Sequence, residues 1–184
     1  MINNQPKNFR DVGETLNQLG NDSNIQIFQP GRIFRGGQID YLNFESFGSP
    51  STIFNLRMQK DDENFKNVAY FHFPIANSVN KYDTKNKVVK EWLCEIVKTI
   101  EKGNLVFPIY IHCFAGKDRT GIVVAALLQI LGVPKSLIVK EFSQSSEVTE
   151  SDIESTLNEL EKKGRSYYRG IDLIKVQRQL RGDS

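Results

Sequence analysis

Residues 109–131 constrain the fold more than any other part of the chain. Ile109-Tyr110-Ile111-His112 follows Pro108. A proline can open a strand but not sit inside a central one, so a short buried strand is expected to begin just after it. A polar, glycine-containing loop comes next, and then Ile122-Val123-Val124-Ala125-Ala126-Leu127-Leu128, apolar on every side. A helix with no polar face must be surrounded by protein. A buried strand feeding such a helix through one loop is the signature of a layered α/β structure.

The remaining segments extend that pattern. Residues 25–28 and 32–35 read as short strands around the turn Pro30-Gly31, and 51–56 and 70–73 as two more, the last stopped by Pro74. A helix is expected over 84–102, where Val88, Val89, Trp92, Leu93, Ile96, Val97 and Ile100 make one apolar face and Gly103-Asn104 is a suitable stop. Further helices are expected over 120–131, 134–142, 149–164 and 171–181, the third opened by the capping-box-like Thr149-Glu150-Ser151-Asp152. Residues 1–24 are polar and read as an irregular lead-in. The 184 residues suit a single domain over 1–184. The expected architecture is α/β: a central, mostly parallel sheet flanked by helices, with extra helices clustered over 135–184.

The loop between the buried strand and the buried helix carries the chemistry. It reads His112-Cys113-Phe114-Ala115-Gly116-Lys117-Asp118-Arg119-Thr120-Gly121. Loops at the C-terminal edge of a parallel sheet are where α/β proteins bind ligands. The backbone N–H groups of Phe114, Ala115, Gly116, Lys117, Asp118 and Arg119 are placed to form an anion nest, and the helix start adds partial positive charge. Gly116 permits the tight bend. Arg119 offers a planar fork that matches two phosphate oxygens. A cysteine in such a field favours its thiolate form and faces a bound phosphate ester, in position for in-line attack on phosphorus. His112 is placed to orient the loop backbone, and Thr120 to hydrogen-bond the sulfur as well as cap the helix.

His-Cys-x5-Arg-Thr-Gly resembles the signature loop of the cysteine-dependent protein tyrosine phosphatase superfamily. Five specified positions at about 5% each give about 3 × 10⁻⁷ per window, so chance is a poor explanation. The Ala-Gly-Lys-Asp-Arg form is similar to a bacterial subgroup of tyrosine and dual-specificity phosphatases, some of which also accept phosphoinositides. Asn8-Phe9-Arg10-Asp11-Val12-Gly13 resembles that subgroup's N-terminal motif. Phe34-Arg35-Gly36-Gly37 and Asn55-Leu56-Arg57 resemble its Arg-Ser-Gly and Asp-Leu-Arg segments, with Gly36 and Asn55 as departures. The resemblance runs from about residue 8 to 135. It implies a phosphotyrosine phosphatase-like fold and metal-independent hydrolysis through a phosphocysteine, with Cys113 as nucleophile and Arg119 with the loop amides as phosphate binders. Many members carry the acid on a separate loop, but here that loop holds Asn77. The proton donor is then Asp118, Asp83 or neither. Phosphotyrosine protein is the first substrate expectation, with phosphoserine/threonine or phosphoinositide next. An inactive phosphate-binding pseudophosphatase and a sulfurtransferase are the alternatives.

Other residues have quieter readings. Lys117 is either solvated or a contact for extra phosphates. Arg57 pairs with a carboxylate or lines the cleft, while Arg10, Asp11 and Arg35 read as braces. Lys81, Lys85, Lys87 and Lys90 are a solvated run or an attractor of acidic substrates. Cys94 is a semi-buried thiol or a resolving partner for Cys113, and His72 is a packed strand residue. A net charge of +2 does not indicate nucleic-acid binding. No stretch is long and apolar enough for stable membrane insertion. Two cysteines without a CxxC pair, and an N-terminus without a signal-like apolar core, fit a reducing, cytoplasmic setting and leave export by another signal open. No metal or cofactor is expected, and nothing in the sequence specifies an oligomeric state.

Overall fold

A computed structural model describes residues 5–20, 28–40, 42–62, 65–103 and 105–182. Five strands, β1 (Arg10–Asp11), β2 (Ile33–Gly36), β3 (Thr52–Asn55), β4 (Ala69–His72) and β5 (Ile109–His112), form one sheet in the order β1-β2-β5-β3-β4. β1 is antiparallel to β2, and every other pairing is parallel. The apolar strand behind Pro108 is therefore central. Gly36, His112 and Asn55 lie in register across β2, β5 and β3. The loop starting at Cys113 leaves the sheet from the middle of that row.

The six α-helices are α1 (Val12–Leu19), which was not expected, and then, in the expected order, α2 (Lys87–Glu101), α3 (Asp118–Ile130), α4 (Lys135–Phe142), α5 (Glu150–Lys163) and α6 (Leu173–Arg181). Strand side chains alternate between faces. Ile33, Phe54, Ile109 and Ile111 join a core to which all six helices contribute. Ile53 and Tyr110 point the other way, into a smaller aromatic core with Phe47 of the short 3₁₀ helix Phe44–Phe47, Phe9 and Phe65. Trp92 ties α2 to the sheet by donating to the Phe73 carbonyl at 2.9 Å. α3 is buried on nearly all sides, as its composition demands. Gly121 lets α4 approach: a Cβ there would lie 2.6 Å from the Phe142 ring.

Several expectations need correction. The lead-in is not irregular up to residue 24, because Val12–Leu19 is helical. Asp11 caps it by accepting from the Gly13 and Glu14 amides, and Val12 and Leu16 are buried one turn apart. The strand expected over 25–28 falls outside the described residues except for Phe28. Thr149 is the N-cap of α5 but its side chain makes no capping bond. α2 starts at Lys87 rather than 84, where Asn86 accepts from the Val88 amide.

Candidate active site

The loop after β5 is held by its carbonyl groups. Phe114 O accepts from the Gln38 amide at 3.1 Å, Ala115 O from Asn8 Nδ2 at 2.8 Å, and Gly116 O from Arg35 Nη2 at 3.0 Å. A trans peptide points its N–H opposite to its C=O. Pinning these carbonyls outward therefore turns the amides of Ala115, Gly116 and Lys117 inward. Among the described residues, no amide from 114 to 119 donates to a protein acceptor. α3 also begins without a side-chain cap at Lys117, so its first-turn amides face the same space. A row of inward N–H groups at a helix start is an anion site.

Glycines allow this packing. Gly116 has φ 69°, and a Cβ there would lie 2.3 Å from the Gly36 carbonyl carbon. Gly36 itself has no room for the serine of the related segment, since its Cβ would meet the Tyr110 hydroxyl at 2.5 Å.

The clamp on the loop is a buried charge cluster that the sequence reading did not foresee. Glu141 of α4 takes Arg35 Nη1 at 2.7 Å and Arg10 Nε at 2.8 Å. The Arg35 and Glu141 side chains are 0% and 1% exposed. Burial lowers Arg35 to about 10, opposed by the Glu141 carboxylate. Arg10 also donates to the Asn8 and Glu141 carbonyls and to Ser145. Arg10 and Arg35 are thus braces, as expected, and Asp11 is a helix cap.

Beneath Cys113 a second network fixes the strand end. Asp61 Oδ2 accepts from His112 Nε2 at 3.0 Å and from the Tyr70 hydroxyl at 3.1 Å. Asp61 Oδ1 accepts from Arg57 Nη1 at 3.1 Å, and Arg57 also reaches Asp40 at 2.6 Å. Burial pushes the Asp61 carboxyl up, but the His112 and Tyr70 bonds and the Arg57 charge outweigh it and hold it below its ordinary value. Asp61 was not singled out from the sequence, where it sits in an ordinary polar stretch. Asn55 suits its site because its amide donates to the Tyr70 hydroxyl and the Gln59 carbonyl while its oxygen accepts from the Arg57 amide. His72, read as a packed strand residue, bonds the Arg57 carbonyl.

Cys113 is 3% exposed. Arg119 reaches over β3 to donate to the Leu56 carbonyl at 3.1 Å. With Arg57, Met58, Gln59, Asn77 and Phe114 it lines a cleft of about 190 Å³. Phe114 and Met58 are 64% and 43% exposed there, two apolar side chains at the rim of a cationic cleft. Asp118, the first residue of α3, accepts from the Tyr82 hydroxyl at 2.7 Å. Lys81 donates to the Asn77 carbonyl at 2.7 Å. Burial and the neighbouring Arg119 charge lower its pKa, and Asp118 partly restores it.

The other expected participants sit elsewhere. Asp83 is exposed, accepts from the Lys85 amide, and lines a separate cavity of about 560 Å³ with Asp152, Glu154 and Glu159 of α5. Tyr82, its neighbour in the same turn, lines that cavity too and also reaches Asp118 with its hydroxyl. Thr120 is fully buried with its hydroxyl unpartnered among the described residues, so the expected bond to the sulfur is not made. Lys117 turns from the loop to the Glu147 carbonyl and carboxylate. Lys85 and Lys87 pair with Glu159 and Glu91, and Lys90 lies over the Tyr167 ring, which leaves Lys81 as the member of that run at the site. The Cys94 thiol bonds the Tyr167 carbonyl, on the α2 side of the core. Among the described residues there is no group of three or more ligating side chains fit to hold a metal, and no helix long and apolar enough to cross a membrane.

Known proteins are similar to this chain in sequence and in fold. A sequence profile of the tyrosine phosphatase family matches residues 3–180. The triple specificity protein phosphatase PtpB of Mycobacterium tuberculosis (strain ATCC 25618 / H37Rv) is 48% identical over 73 residues, 40% of this chain and 25% of that protein. A tyrosine-protein phosphatase of Nostoc commune is 48% identical over 42 residues, 23% of this chain and 14% of its own length. The matched stretches thus span a quarter or less of these relatives. The fold is similar to the core catalytic domain of the PP-IP phosphatase SIW14 from S. cerevisiae, solved in complex with citrate. The TM-score is 0.55 at 15% identity, covering 91% of this chain and 98% of that one.

Proposed function

This chain belongs to the tyrosine phosphatase family, and on that premise we propose that it hydrolyses phosphomonoesters without a metal, through a phosphocysteine. Cys113 attacks as the thiolate. The S–P bond forms as the ester P–O bond breaks, and Asp118 gives its proton to the leaving oxygen. Water then attacks the phosphocysteine, Asp118 takes back the proton, and the S–P bond breaks to release inorganic phosphate. Arg119 and the amides of residues 114–119 hold the phosphoryl oxygens through both steps. Catalysis is then positioning plus fixed electrostatics. The observation that carries this reading is the outward pinning of the Phe114, Ala115 and Gly116 carbonyls, which aims donors at the space beside Cys113.

The cleft supports phosphotyrosine as the first substrate. Phe114 and Met58 offer apolar contact to an aryl ring next to the Arg119 fork. Lys81 beside Arg119 favours a second reading, a substrate with an added phosphate such as a phosphoinositide.

The test is hydrolysis of p-nitrophenyl phosphate in EDTA by wild type and Cys113→Ser. Wild type is expected to turn over with the chelator present and C113S to fall to background. Folded, reduced wild type without turnover would make the chain a phosphate-binding module instead.

A further inference from the structure

Asp118 is the half-buried first residue of α3, and a proton donor must keep one oxygen fixed toward the leaving group. The only side-chain hydrogen bond to Asp118 among the described residues comes from Tyr82, whose hydroxyl donates to Oδ1 at 2.7 Å. Tyr82 belongs to neither α3 nor the phosphate loop. It lies in the turn before α2, and it is held from two sides. Its ring meets Phe142 of α4 edge-on, with centroids 6.3 Å apart. Its carbonyl accepts from the Thr156 hydroxyl of α5 at 3.0 Å, and Thr156 is fully buried. Burial and the adjacent Asp118 carboxylate raise the Tyr82 phenol far above its ordinary value, so it stays a donor.

We propose that Tyr82 is a positioning residue for the proton donor: its hydroxyl occupies Asp118 Oδ1, leaves Oδ2 to carry the proton, and transmits the rigidity of α4 and α5 to that carboxyl. The extra C-terminal helices then have a part in the chemistry beyond closing the core. The inference rests on Asp118 being the donor, so the experiment separates the two claims.

Tyr82→Phe removes one hydroxyl and keeps the ring against Phe142. It is compared with Asp118→Asn on two substrates, p-nitrophenyl phosphate, whose leaving group needs little protonation, and phenyl phosphate, whose leaving group needs it. The expected result is a selective loss in both variants. Read as kcat/KM, which reports phosphocysteine formation and not the later hydrolysis that both substrates share, D118N loses about 10²-fold or more on phenyl phosphate and much less on p-nitrophenyl phosphate, and Y82F loses about tenfold on phenyl phosphate with the same preference between the two substrates. A loosened loop would lower both substrates together. If D118N is selective while Y82F loses equally on both substrates, or not at all, the positioning role is overturned and the donor assignment stands. If the kcat/KM of D118N falls equally on both, the donor assignment falls and the role of Tyr82 falls with it.

Discussion

Glu141→Ala is expected to cost about 3–5 kcal/mol of stability, the range for removing one partner of a buried ion pair. Glu141 stands between Arg35 and Arg10, and its own side chain is 1% exposed. Burial lowers Arg35 only to about 10, so it is a cation at neutral pH. Without Glu141 that cation stays 0% exposed with no carboxylate in contact. The same guanidinium donates to the Gly116 carbonyl, so the phosphate loop loosens as the brace fails. Urea unfolding of wild type and E141A measures the first effect, and turnover in the absence of urea measures the second. A loss below about 1 kcal/mol, typical of exposed pairs, would mean that the cluster is not a clamp. Glu141→Gln is expected to fall between, since it keeps an acceptor but not the charge.

Arg119→Ala is expected to do the reverse, leaving stability nearly intact while kcat/KM falls by at least about 10²–10³, the cost of removing one preorganised donor to developing charge. Its hydrogen bond within the protein, among the described residues, is to the Leu56 carbonyl. The guanidinium is therefore placed but not spent on holding the fold. Arg119→Lys is expected to recover little, because an ammonium cannot span two phosphoryl oxygens as the planar fork does. Kinetics on p-nitrophenyl phosphate beside thermal melts check both halves. An R119A enzyme within about tenfold of wild type would remove Arg119 from the phosphate site.

The sequence was most legible where burial is continuous along the chain. β5, the loop and α3 could be read because an all-apolar strand and an all-apolar helix leave one arrangement open, and Cys113 and Arg119 came with them. α1 was hidden because Val12 and Leu16 are the buried apolar pair in a polar run, although Asp11 ahead of them was a usable cap signal. Glu141, Asp61 and Tyr82 were hidden for another reason. Each looks like a surface residue in its own segment, and each is buried or engaged by a partner far along the chain, Arg35 for Glu141, His112 for Asp61 and Asp118 for Tyr82. Local pattern does not encode such pairings. Of the two candidate donors, Asp118 lies in the cysteine loop by sequence alone, whereas the place of Asp83 depends on the fold of the turn before α2, where it lines the α5 cavity.

The most direct test of the account is to look for the covalent intermediate. The enzyme is mixed with an aryl phosphate, quenched in acid within one turnover, digested and weighed by mass spectrometry. The mass of one phosphoryl group is expected on the peptide that contains Cys113, and it is expected to be absent from the same peptide of C113S. Turnover with the phosphoryl group on another residue, or a C113S enzyme that still hydrolyses substrate, would contradict it.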